Sequence, residues 1–136
     1  MPVRILIADD DVSIRHLLRR ILEAQPGWEV CGEAANGNDA VAKAEELAPD
    51  VAIIDLAMPH KNGVQAAREI LTTSSSTAML LLTVQEVSAE LARAAREAGF
   101  RGAITKGSSN EVVIAVETLL GKGTFFDVEG SLSVNN

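Results

Sequence analysis

The sequence predicts an α/β fold, a doubly wound parallel sheet of five strands with helices on both faces. Three observations carry this expectation. Short apolar runs alternate with longer segments whose apolar residues recur at helical spacing, the pattern of strands joined by crossover helices. The run Val51-Ala52-Ile53-Ile54 is apolar at successive positions, which suits a strand buried on both faces. Four strand ends carry polar groups, at Asp9 and Asp10, Asp55, Thr83 and Lys106, and ligands of such sheets bind outside the carboxyl ends of the strands.

Val3 to Ala8 reads as the first strand and empties into Asp9-Asp10-Asp11. Ile14, Leu17, Leu18, Ile21 and Leu22 then recur at helical spacing, with Asp11 as N-cap and Arg15, His16, Arg19 and Arg20 largely on the other faces. Pro26-Gly27 ends this helix. Trp28 to Ala34 is a second strand. An Asn36-Gly37 turn follows, with Asn38 capping a helix to about Leu47 whose buried face is Val41, Ala44 and Leu47 or Ala48. Pro49 forces the chain out into the central strand that ends at Asp55. A third helix runs from about Gly63 to Leu71, and Thr72 to Thr77 is a polar loop with no assigned role. Ala78 to Thr83 is the fourth strand, and Ser88 to Ala98 the fourth helix, closed by Gly99. Gly102 to Thr105 is a short fifth strand before Lys106. Ser108 with Glu111 forms a capping-box pattern for a fifth helix, with Val112, Val113, Val116, Leu119 and Leu120 inward and Gly121 and Gly123 as its stop.

A chain of 136 residues fills one domain. The expected division is a domain over 1–126 and a polar tail or linker start over 127–136. A net charge of -7, with 19 acidic against 12 basic residues, argues against direct binding to nucleic acid, which requires clustered Lys and Arg. Cys31 is the sole cysteine, so no disulfide or multi-cysteine metal site forms within the chain. The N-terminal run meets three aspartates too soon for a signal peptide, and no apolar run approaches the roughly 20 residues of a membrane span, so a cytoplasmic location without membrane contact is expected.

An ionised carboxylate at the end of a buried strand costs several kcal/mol unless it is paired or binds a metal. If the strands are ordered 2-1-3-4-5, the first and third are neighbours and Asp9, Asp10 and Asp55 converge. A hard divalent cation relieves their repulsion, and Mg²⁺ prefers such oxygen donors together with a phosphate. A carboxylate is also a nucleophile able to form an aspartyl phosphate.

The segments Ile5 to Asp10 with Arg15, Asp55-Leu56-Ala57-Met58-Pro59 with Gly63, Leu82-Thr83, and Gly102-Ala103-Ile104-Thr105-Lys106 stand in an order that resembles the receiver domains of bacterial two-component response regulators. The resemblance covers about residues 3 to 123, and the stretch Ala115 to Phe126 is similar to the receiver end of regulators with a C-terminal helix-turn-helix domain. It implies a flavodoxin-like sheet in the order 2-1-3-4-5 and a phosphorylation-dependent signalling switch in transcription regulation, not a turnover enzyme. By that resemblance Asp55 is the phosphoacceptor, which assists its own phosphorylation and dephosphorylation. Asp10 is a direct Mg²⁺ ligand, Asp9 acts through water and the backbone carbonyl of Ala57 completes the site. Thr83 and Lys106 engage the phosphoryl group, a histidine kinase supplies it, and dimerisation of the chain on phosphorylation follows as a hypothesis. The pattern departs from the family at Ala103, where an aromatic residue usually stands, so the usual coupling of Thr83 to an aromatic ring does not operate as such.

A receiver-like interaction module that is not phosphorylated is the alternative, and Ala103 is its best support. A phosphatase with an aspartate nucleophile usually carries a second Asp two residues on, where this chain has Ala57. A dinucleotide-binding domain lacks its glycine fingerprint, and acids after the first strand repel a pyrophosphate. His16 and His60 read as surface or loop residues, Cys31 as a small core hydrophobe, and Trp28, Phe125 and Phe126 as packing residues at the sheet edge and beside the last helix.

Overall fold

Residues 2–126 are described by a computed structural model, with the side chain of Ser109 excepted. The expected tail at 127–136 lies outside the described residues. The chain runs β1 (Val3–Ala8), α1 (Val12–Glu23), β2 (Trp28–Ala34), α2 (Gly37–Leu47), β3 (Val51–Asp55), α3 (Gly63–Thr73), β4 (Ala78–Thr83), α4 (Ala89–Ala98), β5 (Phe100–Thr105), α5 (Val112–Leu120) and β6 (Phe125–Phe126). All strand pairs are parallel, and the sheet order is β2-β1-β3-β4-β5-β6. The predicted five-strand order is therefore present, with a two-residue edge strand added.

Alternation along each strand sends side chains to two separate cores. Leu6, Ala52, Ile54 and Leu81 face the layer of α2, α3 and α4, while Ile5, Ile7, Ile53, Leu80 and Leu82 face α1 and α5. The first layer meets the sheet with alanines, among them Ala40, Ala44, Ala67, Ala92 and Ala95, whose small side chains let helix backbones approach closely. The second uses Leu18, Leu22, Val112, Val116 and Leu119. Both faces of β3 are covered, and all five of its residues are buried.

Caps set the helix starts. Asp11 caps α1 by accepting from Ser13 N–H at 2.8 Å, as expected. Asn62 and Gln65 form a reciprocal capping box on α3, and Ser88 caps α4. For α2 the expectation was wrong by two residues. Asn36, not Asn38, is the cap, accepting from Asp39 N–H at 2.8 Å, and Gly37 is already helical. The inward face of α2 also turns toward Gly37, Ala40 and Ala44, leaving Ala48 exposed as a left-handed C-cap at φ 45°.

The expected capping box at Ser108 and Glu111 is absent. Residues Lys106–Glu111 form a 3₁₀ helix with a kink at Ser108, whose Oγ accepts from Thr105 Oγ1 at 3.1 Å, and α5 starts only at Val112 with no side-chain cap. Leu17 and Leu120, predicted inward, are 39% and 37% exposed. The strand β5 begins two residues earlier than predicted, because Phe100 is buried and pairs with Met79. Phe125 and Phe126 pack at the sheet edge as expected, but as a strand paired with Gly102 and Ala103.

The polar loop after α3 is structural. Ser74 and Thr77 are buried, their hydroxyls 2.7 Å apart, and Thr77 Oγ1 donates to the carbonyl of Pro49 at 2.8 Å. This ties the entry of β4 to the entry of β3 at the N-terminal end of the sheet.

Candidate acid pocket and metal site

Register alone brings the acids together. Ala8 pairs with Ile54, so the residues that follow, Asp9 and Asp55, leave adjacent parallel strands side by side. One carboxylate oxygen from each of Asp9, Asp10 and Asp55 lies within 4.8 Å of the others. Asp9 is fully buried and Asp55 is 3% exposed, whereas Asp10 faces solvent.

Lys106, delivered by the end of β5, spans the pair. Its Nζ is 2.9 Å from Asp9 Oδ2 and 3.4 Å from Asp55 Oδ1. The contact with Asp9 is ionic without being a directed hydrogen bond, and Asp9 Oδ2 makes none to any described residue. Asp9 Oδ1, in contrast, accepts from Asp11 N–H at 2.9 Å. Burial, and after it the Asp9 charge, pushes the Asp55 carboxyl up to about 6, with Lys106 and the Ala57 N–H opposing. Lys106 is held above the usual lysine range: burial pulls it down, but its contacts with Asp9 and Asp55 outweigh that. Two carboxylates against one ammonium leave the pocket over-supplied with negative charge.

Thr83, at the end of β4, is 2% exposed and its Oγ1 accepts from Gln85 N–H at 3.2 Å, which leaves its own proton free to donate. Ala57 is exposed in the loop after β3. Every site residue predicted from the sequence thus lies at the C-terminal end of the sheet. Ala103 is fully buried, and its register partner is Phe126, so an aromatic residue of β6 lies beside the position that usually carries one.

Two further residues shape the pocket. Gly63, the first residue of α3, donates to Leu56 O at 2.8 Å, and a Cβ there would run into the carbonyl of Asp55. Arg15, predicted to point away from the core, turns inward, and its Nη1 donates to the carbonyl of Asp9 at 2.6 Å. Both stand in the motifs quoted above, but only the close approach of helix to loop reveals what they do. All three acids offer hard oxygen donors, and the buried Asp9 Oδ2, with the Lys106 ammonium beside it, adds an acceptor, so the residues present fit Mg²⁺.

Fold and pocket define a doubly wound α/β protein with three clustered carboxylates, able to hold a cation, at the switch point between β1 and β3. The chain belongs to the response regulator receiver domain family, whose model matches residues 5–117. It is 34% identical over 110 residues to a protein-glutamate methylesterase/protein-glutamine glutaminase of Treponema denticola, covering 80% of this chain and 30% of that protein. It is 45% identical over 71 residues to the chemotaxis protein CheY of Thermotoga maritima, covering 52% of this chain and 58% of that protein. Among solved structures it is similar to a LuxR-family two-component response regulator from Aurantimonas sp. SI85-9A1, with TM-score 0.85, 33% identity and coverage of 92% of this chain and 89% of that one. The chain thus spans under a third of the methylesterase. No helix among the described residues is long and apolar enough to cross a membrane.

Proposed function

We propose that the protein is a phosphorylation-dependent switch in which Asp55 takes a phosphoryl group from a phosphohistidine of a histidine kinase. The observation that carries this reading is the grouping of Asp9, Asp10 and Asp55 oxygens within 4.8 Å, with Lys106 bridging Asp9 and Asp55. Asp10, Asp55 and the Ala57 carbonyl would hold Mg²⁺ directly, and Asp9 would hold it through water. Mg²⁺ held there would offset the charge of the acids and of the incoming phosphoryl oxygens.

An oxygen of the Asp55 carboxylate attacks phosphorus as the P–N bond to the imidazole breaks, and the leaving imidazole retains the electron pair. Lys106 neutralises one phosphoryl oxygen and the Thr83 hydroxyl donates to another. Moving a two-state equilibrium from 1:99 to 99:1 requires about 5.5 kcal/mol of differential binding. Two charge-assisted hydrogen bonds at about 1.5–3 kcal/mol each supply most of it. The switch acts in the cytoplasm without contacting nucleic acid itself, and phosphorylation promotes pairing with a second copy. Its output is transcription regulation through a partner or a further domain.

Intact-protein mass spectrometry after incubation with acetyl phosphate and Mg²⁺ tests the reading. One added phosphoryl group is expected in the wild type, none in Asp55→Asn, and none when a chelator is added first. The same adduct in Asp55→Asn would overturn the assignment. The reading as a module that is not phosphorylated rests on Ala103, and an unmodified wild type under every phosphodonor would favour it.

A further inference from the structure

The loop that carries Asp9 and Asp10 is pinned from three sides. The Asp9 N–H donates to Ala34 O of β2 at 2.9 Å, and Asp9 Oδ1 accepts from Asp11 N–H at 2.9 Å. The third restraint is Arg15, one turn into α1, whose Nη1 reaches the Asp9 carbonyl at 2.6 Å. That carbonyl belongs to the peptide plane joining Asp9 to Asp10, so holding it fixes the plane from which Asp10 departs. Asp10 itself is exposed, and none of the hydrogen bonds or ion pairs described above involves its side chain, so its backbone is what aims the side chain's departure toward the pocket.

Arg15 is itself aimed. Its Nε donates to Glu33 Oε1 at 2.8 Å, and the other oxygen of Glu33 takes Arg19 through Nε and Nη2, each at 2.8 Å. Burial alone would push the Glu33 carboxyl up, but the bonds from Arg19 and Arg15 hold it below the usual range, so it is firmly ionised. Glu33 is the penultimate residue of β2, pairs with Ile7, and its carbonyl also accepts from the Lys43 ammonium. The guanidinium is a rigid planar fork: with Nε committed to Glu33, Nη1 has one direction left, and it meets the Asp9 carbonyl. A lysine keeps the charge but presents a single point donor and cannot serve both partners in fixed geometry.

The geometry points to Arg15, oriented by Glu33, as a positioning residue that sets the Asp9–Asp10 peptide and through it the affinity of the pocket for Mg²⁺. This rests on the proposed Mg²⁺ site. Arg15 bonds Glu33 and the Asp9 backbone carbonyl, not the clustered carboxylates themselves. It acts from behind the loop, and Glu33 acts from behind Arg15.

The test is an Mg²⁺ titration of the full chain followed by backbone amide shifts at Asp9, Asp10 and Asp55, for wild type, Arg15→Lys, Glu33→Gln and the exposed control Arg20→Lys. Loss of such support from behind a ligand typically costs 10- to 100-fold in affinity, so the dissociation constant should rise about tenfold in Arg15→Lys and in Glu33→Gln but not in Arg20→Lys. The acetyl phosphate reaction should then require more Mg²⁺ for half-maximal rate while its rate at saturating Mg²⁺ stays near wild type. Folded spectra with an unchanged Mg²⁺ affinity in both variants would reduce the pair to a structural cross-link and overturn the inference. A wild type with no Mg²⁺-dependent shift at these amides would overturn the metal reading beneath it as well.

Discussion

The two ends of the sheet each bury a polar cluster, and the clusters are built on opposite terms. At the N-terminal end, Ser74, Thr77 and the Pro49 carbonyl satisfy one another, with neutral groups and normal distances. At the C-terminal end, Asp9 and Asp55 share one lysine, an oxygen of Asp9 lacks a directed hydrogen bond, and Asp55 is pushed up to about 6. Neutral buried groups that are all bonded stabilise a fold. Charged groups left in excess are held there by the surrounding strands, and the imbalance is relieved only by something from outside. The proposed chemistry sits at the end where the charges do not balance.

The largest effect expected from breaking this contrast is at Lys106. Lys106→Met leaves two buried carboxylates without a counter-charge, and removing one partner of a buried ion pair costs about 3–5 kcal/mol. Urea unfolding without metal at about pH 8, above the Asp55 value of about 6, measures it; added Mg²⁺ should recover part of the loss. Thr77→Val at the other end removes the bond to Pro49 and strands the Ser74 hydroxyl, costing about 1–3 kcal/mol, with no dependence on Mg²⁺. A Thr77→Val loss that Mg²⁺ relieved would break the distinction between the ends.

Asp55 gives a smaller and pH-dependent effect. Its folded value of about 6 lies above the ordinary 3.8, so the unfolded chain ionises first. The protonated group favours the fold fully below the unfolded value, and stability falls as pH rises through the folded one. Between about pH 4 and 7 the metal-free protein should lose on the order of 1–2 kcal/mol after solvent screening at the pocket mouth. Asp55→Asn should flatten that slope, in the presence of Asp9, Asp10 and Lys106, the charged groups facing it. A slope of the opposite sign would show that Lys106 dominates the site.

The C-terminal half of this contrast was legible in the residues, for a physical reason, whereas the Thr72 to Thr77 loop carried no assigned role. Strands buried on both faces must be apolar at successive positions, so β1, β3 and β4 and the polar groups ending them stand out. What failed to show was whatever depends on the approach of one element to another. Arg15 is a charged residue in an amphipathic helix and reads as solvated; only the packing of α1 against β2 turns it onto Glu33 and the Asp9 carbonyl. Ser108 and Glu111 have capping spacing, but Ser108 is taken by Thr105 in a 3₁₀ turn. The edge strand β6 is two residues long, too short for any period, and Phe126 is held by the Arg96 guanidinium 4.2 Å from its ring centroid. Gly37 passed for a turn residue, although its role is close approach, since a Cβ there would strike the carbonyl of Lys61 in the loop after β3.

The measurement that bears most directly on the central claim is the unfolding free energy of the metal-free wild type and of Thr77→Val at about pH 8, with and without Mg²⁺. A ligand at ten times its dissociation constant stabilises by about 1.4 kcal/mol, and the account predicts that increment, equal in both proteins, because the cation site lies at the opposite end from Thr77. No increment in either would contradict it, for the excess of buried charge at Asp9 and Asp55 would then be a feature of the fold and not a site awaiting a cation.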